Sequence, residues 1–95
     1  MGQIIEISEK QLPDTCFVFK HSTRCPVSFS AAREVKSANP RLDVYWVNVI
    51  ESREISNWIA DLYEVVHQSP QLILIENSKA KDSWSHSEIT SELLE

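Results

Sequence analysis

The sequence predicts an α/β domain whose mixed four-stranded sheet, in chain order β-α-β-α-β-β-α, carries helices on both faces. Three observations predict it. Residues 15–20 and 43–49 are aromatic and β-branched runs with almost no polar alternation, as in strands buried on both faces. Each is followed by apolar residues at helical spacing, which makes a parallel crossover unit. A third apolar run, 72–76, is divided from a weaker one by a short turn, which makes an antiparallel pair. Ninety-five residues without a linker, repeat or low-complexity segment form a single domain over residues 1–95.

The elements follow in order. Residues 4–7 (IIEI) have the composition of a short strand, and Ser8 opens a helical turn that Pro13 and Asp14 close. The strand 15–20 ends in the polar loop His21-Ser22-Thr23-Arg24. From Pro26 onward Val27, Ala31, Val35 and Ala38 recur at helical spacing, with proline tolerated in the first turn, and Asn39-Pro40 stops the helix. After the strand 43–49, Ser52 heads a second helix with Ile55, Ile59, Leu62 and Val66 along one face. Residues 67–71 turn into the strand 72–76. Asn77-Ser78-Lys79 makes a hairpin turn in which Ser78 stands where glycine would be comfortable, and a polar strand covers 80–84. Thr90, Glu92 and the Leu93-Leu94 pair suggest a short closing helix.

Composition excludes several functions. The only glycine is Gly2, whereas phosphate-binding loops, dinucleotide fingerprints and hydrolase nucleophile elbows all need glycines. Nine Lys and Arg against fourteen Asp and Glu give a net charge of −5, which argues against nucleic acid as a partner. Apolar runs of about four residues argue against a membrane span, which needs roughly 20. Two cysteines are too few for a secreted disulfide framework, and three scattered histidines do not complete a zinc site, so no metal is expected. The expected location is cytoplasmic, with both cysteines as free thiols.

Cys25 is the candidate nucleophile. It precedes Pro26-Val27-Ser28 at a strand-to-helix junction, where unpaired N–H groups and the helix dipole favour a thiolate. Lys20, Arg24, Arg33 and Lys36 stand against Glu34 alone between positions 20 and 36, a local positive rim inside an acidic protein. Cys16, set between Thr15 and Phe17 in a strand, reads as core.

The stretch 19–28 (FKHSTRCPVS) resembles the signature of the YtxJ-type monothiol bacilliredoxins, which reads K-H-S-T-x-C-P-[IV]-S. Later blocks at 43–49, 53–57, 67–71, Ser85-His86 and Ile89-Thr90 are similar to the family in order and spacing, so the resemblance covers nearly the whole chain. It implies a thioredoxin-like fold and removal of bacillithiol from mixed disulfides on client proteins in bacteria that use this thiol. No bound cofactor is implied, since bacillithiol acts as a co-substrate, and a disulfide reductase is a further partner. Ser28 occupies the place of the second cysteine of two-cysteine relatives; its hydroxyl is expected to bond the thiolate, and turnover then needs an external thiol. Lys20, Arg24 and His21 are expected contacts for the malate carboxylates of bacillithiol, beside Pro26. Ser69-Pro70 is expected to be cis, with the Ser69 backbone facing the nucleophile. His21 either favours the thiolate or caps the strand; His86 either lines the site or is a loop residue bonded to backbone. Trp46, Trp58 and Trp84 read as packing residues. The chain departs from the family at Asp82-Ser83, where relatives carry an aromatic and a histidine, and at Ser78. A non-catalytic binding or redox-sensing module is the alternative, and an iron–sulfur carrier ranks last because Pro26 replaces a glycine.

Overall fold

The computed structural model describes residues 2–95. In chain order the elements are β1 (Ile4–Glu6), β2 (Cys16–His21), α1 (Pro26–Ser37), β3 (Val44–Asn48), α2 (Arg53–Leu62), β4 (Gln71–Glu76) and β5 (Lys79–Ser85). A 3₁₀ turn (His86–Glu88) and α3 (Ser91–Leu94) follow. The sheet order is β1-β3-β2-β4-β5. β2 is therefore central, and all six of its residues are buried. It pairs parallel with β3, from Phe17 opposite Val44 to His21 opposite Asn48. On its other side it pairs antiparallel with β4, from Cys16 opposite Ile75 to Lys20 opposite Gln71.

The sheet has five strands rather than the expected four, because residues 4–6 pair parallel with β3. That pairing covers an edge β3 would otherwise expose, and Val44 N–H to Gln3 O (2.8 Å) and Ile7 N–H to Trp46 O (3.1 Å) extend it. The helical turn expected from Ser8 is absent. The segment bends, with Gln11 N–H to Glu9 O at 2.8 Å, and sends Ile7 and Leu12 to the core instead. The sole glycine is needed for close approach: a Cβ at Gly2 would run into the Leu42 carbonyl.

Alternation along β2 separates two cores. Phe17 and Phe19 pack with Ala31, Ala32 and Val35 of α1 and Leu94 of α3. Cys16 and Val18 pack on the other face with Ile59 of α2 and with Val47, Ile73 and Ile75. Each helix keeps most of its expected face, with Ala31, Val35 and Ala38 packed on one core and Ile55 and Ile59 on the other, and departs from it at one end. In α1 the buried stripe is Ser28, Ala31, Ala32 and Val35, at i, i+3, i+4 and i+7, while Val27 is exposed. In α2, Leu62 is exposed and Val66 lies beyond the helix, also exposed; Tyr63 packs inward in their place.

The starts of α2 and α3 lack side-chain caps from the residues expected to head them: Ser52 and Thr90 stand at the N-caps without side-chain bonds. Asn48 Oδ1 instead holds the turn before α2 by accepting the N–H groups of Ile50 (3.0 Å) and Glu51 (3.1 Å), and at the start of α3 Glu34 Oε1 accepts that of Ser91 (2.9 Å). In the β4–β5 hairpin Asn77 and Ser78 both have positive φ, 52° and 64°, as a two-residue primed turn requires. Ser78 offsets the missing glycine with two bonds to Asp14, N–H to O (2.8 Å) and Oγ to Oδ1 (2.6 Å). No helix among the described residues is long and apolar enough to cross a membrane.

Candidate functional site

The end of β2, the loop 22–25 and the start of α1 form one structural unit. Cys25 is the N-cap residue, with extended backbone (φ −114°, ψ 117°), and Pro26 takes the first helical turn. No side chain caps α1 and its first turn holds no acid, so the positive end of a twelve-residue helix, with Cys25 at its N-cap, is left uncompensated by side chains. The thiol is half-buried and free. Arg24 and Pro26 flank it on the exposed rim. Two backbone bonds hold it, Cys25 N–H to Ser22 O (3.4 Å) and Ser28 N–H to Cys25 O (3.0 Å).

Ser28 does not serve Cys25 as expected. Its side chain is fully buried on the sheet-facing stripe, where Oγ accepts the Ser22 N–H (2.9 Å) and lies 2.8 Å from His21 Nδ1. The helix phase explains the difference: position 28 shares a face with Ala31, Ala32 and Val35 and so points at the end of β2. The hydroxyl thus fixes the loop that carries the nucleophile. The spacing 28, 31, 32, 35 was the sequence signal for this.

His21 is buried, with its ring 5.3 Å from those of Phe29 and Trp46. Burial and the nearby Lys36 charge hold it below the usual histidine range, so it is neutral at pH 7. Its role in the fold is to anchor Ser28.

Lys20 overturns another expectation. It is fully buried on the α2 face, its Nζ donating to Ser56 O (3.1 Å) and lying 3.3 Å from His67 Nδ1. Neighbouring strand residues point to opposite faces, so a lysine one position before His21 cannot reach the rim. Burial without a carboxylate partner lowers its pKa to about 8. His67, also bonded by Ser56 Oγ (3.3 Å), is a partner that sequence reasoning missed, because it depends on the loop after α2 folding back.

The other side of the site is the loop before β4. The Ser69–Pro70 peptide bond is cis. Gln71 shapes this loop by donating to Val66 O (3.1 Å) and accepting from Gln68 N–H (3.4 Å). Ser69 Oγ is buried without a hydrogen-bond partner. His86 N–H donates to Pro70 O (3.2 Å), which ties the 3₁₀ turn to this loop and leaves the His86 side chain exposed.

Cys16 is fully buried, and burial with the Asp43 charge pushes its thiol up to about 12. It is therefore inert at neutral pH, and the two cysteines remain unpaired. Trp46 packs edge-on against Phe19 at 4.8 Å and Trp58 against Tyr63 at 6.4 Å, as packing residues should.

The family described as monothiol bacilliredoxin BrxC matches residues 1–94. A solved structure described as a candidate oxidoreductase with a thioredoxin fold is 26% identical, with a TM-score of 0.81 over 94% of this chain and 88% of that one. The reduced desulfothioredoxin of Desulfovibrio vulgaris Hildenborough, at 16% identity and TM-score 0.60 over 95% of this chain and 90% of that one, shares the fold.

Proposed function

This chain belongs to the monothiol bacilliredoxin BrxC family, and on that premise we propose that it removes bacillithiol from protein mixed disulfides, with Cys25 as the nucleophile. The observation that carries the reading is the isolation of a single accessible thiol at an uncapped helix start. Position 28, three residues on, is a serine turned inward, and the other cysteine is sealed in the core.

The reaction is two exchanges. The Cys25 thiolate attacks the bacillithiol sulfur of the mixed disulfide, and a new S–S bond forms as the client sulfur leaves and takes up a proton. A second bacillithiol, as thiolate, then attacks the bacillithiol sulfur bound to Cys25. Bacillithiol disulfide departs and the Cys25 thiolate is restored. The client disulfide is reduced and two bacillithiol molecules end oxidised as one disulfide, so electrons balance without a cofactor. A disulfide reductase would recycle that product, and a cytoplasmic setting would keep both thiols reduced.

The helix start stabilises Cys25 both as attacking and as leaving group. The backbone of Ser69 and the exposed Arg24, Pro26 and His86 border the approach of the client. The test is turnover of a bacillithiolated protein with bacillithiol as reductant. Cys25→Ser should abolish turnover and Cys16→Ser should leave it within about twofold of wild type. A stoichiometric adduct on Cys25 without turnover would instead make the protein a redox sensor.

A further inference from the structure

A cavity of about 440 Å³ lies beside the nucleophile's loop, lined by β1, β3 and the flank of α1, with Thr23 at its edge. It lies on the β3 side of β2, away from the loop that holds Ser69 and Pro70. Thr23 is two residues before Cys25, so the cavity borders the loop that carries the nucleophile.

Three donors lining the cavity lack protein acceptors. Lys36 holds its ammonium 5.3 Å from the Trp46 ring centroid and forms no salt bridge among the described residues. Asn48 gives its Oδ1 to the Ile50 and Glu51 N–H groups, which leaves its NH₂ group unused. His21 uses Nδ1 on Ser28. A neutral ring that accepts the Ser28 proton at Nδ1 carries its own proton on Nε2, the tautomer in which His21 can donate to a ligand. The His21 residue is only 6% exposed and lines the cavity.

We propose that this cavity seats the acid end of the low-molecular-weight thiol, with Lys36, His21 Nε2–H and the Asn48 amide donating to a carboxylate while the thiol reaches Cys25 past Thr23. The proposal rests on the thiol-exchange reading above and adds where, and by what chemistry, the thiol is held. The cation stacked on Trp46 supplies charge, and the two neutral donors supply direction. Glu6, the one carboxylate of the lining, disfavours a ligand that is anionic throughout and favours one that also carries an amine. Client proteins are left the opposite side, around Ser69 and His86.

The test reads binding rather than turnover. Cys25→Ser protein, which cannot exchange, is titrated with bacillithiol and followed by amide and indole NMR shifts. The expected result is a set of shifts centred on Thr23, Lys36, Trp46 and Asn48, with affinity reduced about fivefold or more by Lys36→Met. That variant keeps the stem over Trp46 at an exposed site and should fold normally. A cysteinyl-glucosamine lacking malate should bind the Cys25→Ser protein as weakly as bacillithiol binds once Lys36→Met is added. Shifts confined to residues 66–71 and 85–88, no shifts at millimolar ligand, or equal affinity in Lys36→Met would overturn the proposal. If the enzyme shows no turnover but these shifts appear, the site stands and the catalytic reading falls; full turnover without them gives the reverse.

Discussion

Lys20 and His21 are consecutive residues of one strand, and they build two unlike polar clusters on opposite faces of the sheet. His21, with Ser28 and Ser22, forms a neutral network that fixes the loop bearing Cys25. Lys20, with Ser56 and His67, buries a cation that has only a carbonyl and a ring nitrogen to compensate it. The first arrangement stabilises because the buried Ser28 hydroxyl and His21 Nδ1 find partners in it. The second carries a desolvation cost that depends on protonation. Adjacent polar residues in a motif can therefore play separate roles, because one strand position decides whether a side chain serves the nucleophile's loop or the far face.

The largest expected effect is on the Lys20 side. Its folded pKa of about 8 lies below the unfolded value, so between these two the unfolded chain binds more protons. Stability should then rise as pH goes from about 8 to about 10, by up to about 3 kcal/mol, with little change from this group below pH 7. Lys20→Met should flatten that rise in denaturant titrations at pH 7, 8.5 and 10. An unchanged slope would mean that the ammonium is solvated after all.

On the His21 side, Ser28→Ala strands the Ser22 N–H and His21 Nδ1 together. It should cost about 2 kcal/mol in chemical unfolding and slow the alkylation of Cys25, while Ser28→Thr, which keeps the hydroxyl, should restore part of both. If Ser28→Ala lost stability without any effect on Cys25, the network would be a core feature only. The smallest effect should come from the rim. Arg24→Gln should change stability by less than about 0.5 kcal/mol. It should lower the exchange rate with bacillithiolated substrate about twofold at low ionic strength and leave it unchanged at high salt.

The same contrast explains what was legible in the sequence. β2, β3 and β4 announce themselves because apolar and β-branched residues run unbroken, as strands buried on both faces must. Cys25 at the start of α1 followed from Pro26 and the change of period, and the cis bond at Ser69–Pro70 agrees with the family resemblance. β1 was readable as a strand but not as a member of the sheet, since its three residues gain their partner from β3, some forty positions away. The directions of Lys20 and Ser28 were missed for a related reason. Each was weighed by its chemistry beside Cys25, although strand parity for one and helix phase for the other fix where the side chain points. The helical turn expected near Ser8 failed because local propensity gave way to the need to carry Ile7 and Leu12 into the core.

The central claim is that one thiol acts and cannot resolve itself. Its most direct test is stoichiometry: reduced protein mixed with excess bacillithiolated client and no free thiol, with released client thiol counted and the product mapped by mass spectrometry. One client thiol released per protein, with bacillithiol found on Cys25 and Cys16 unmodified, is the predicted result. Continued release without added thiol, or an adduct on Cys16, would contradict it.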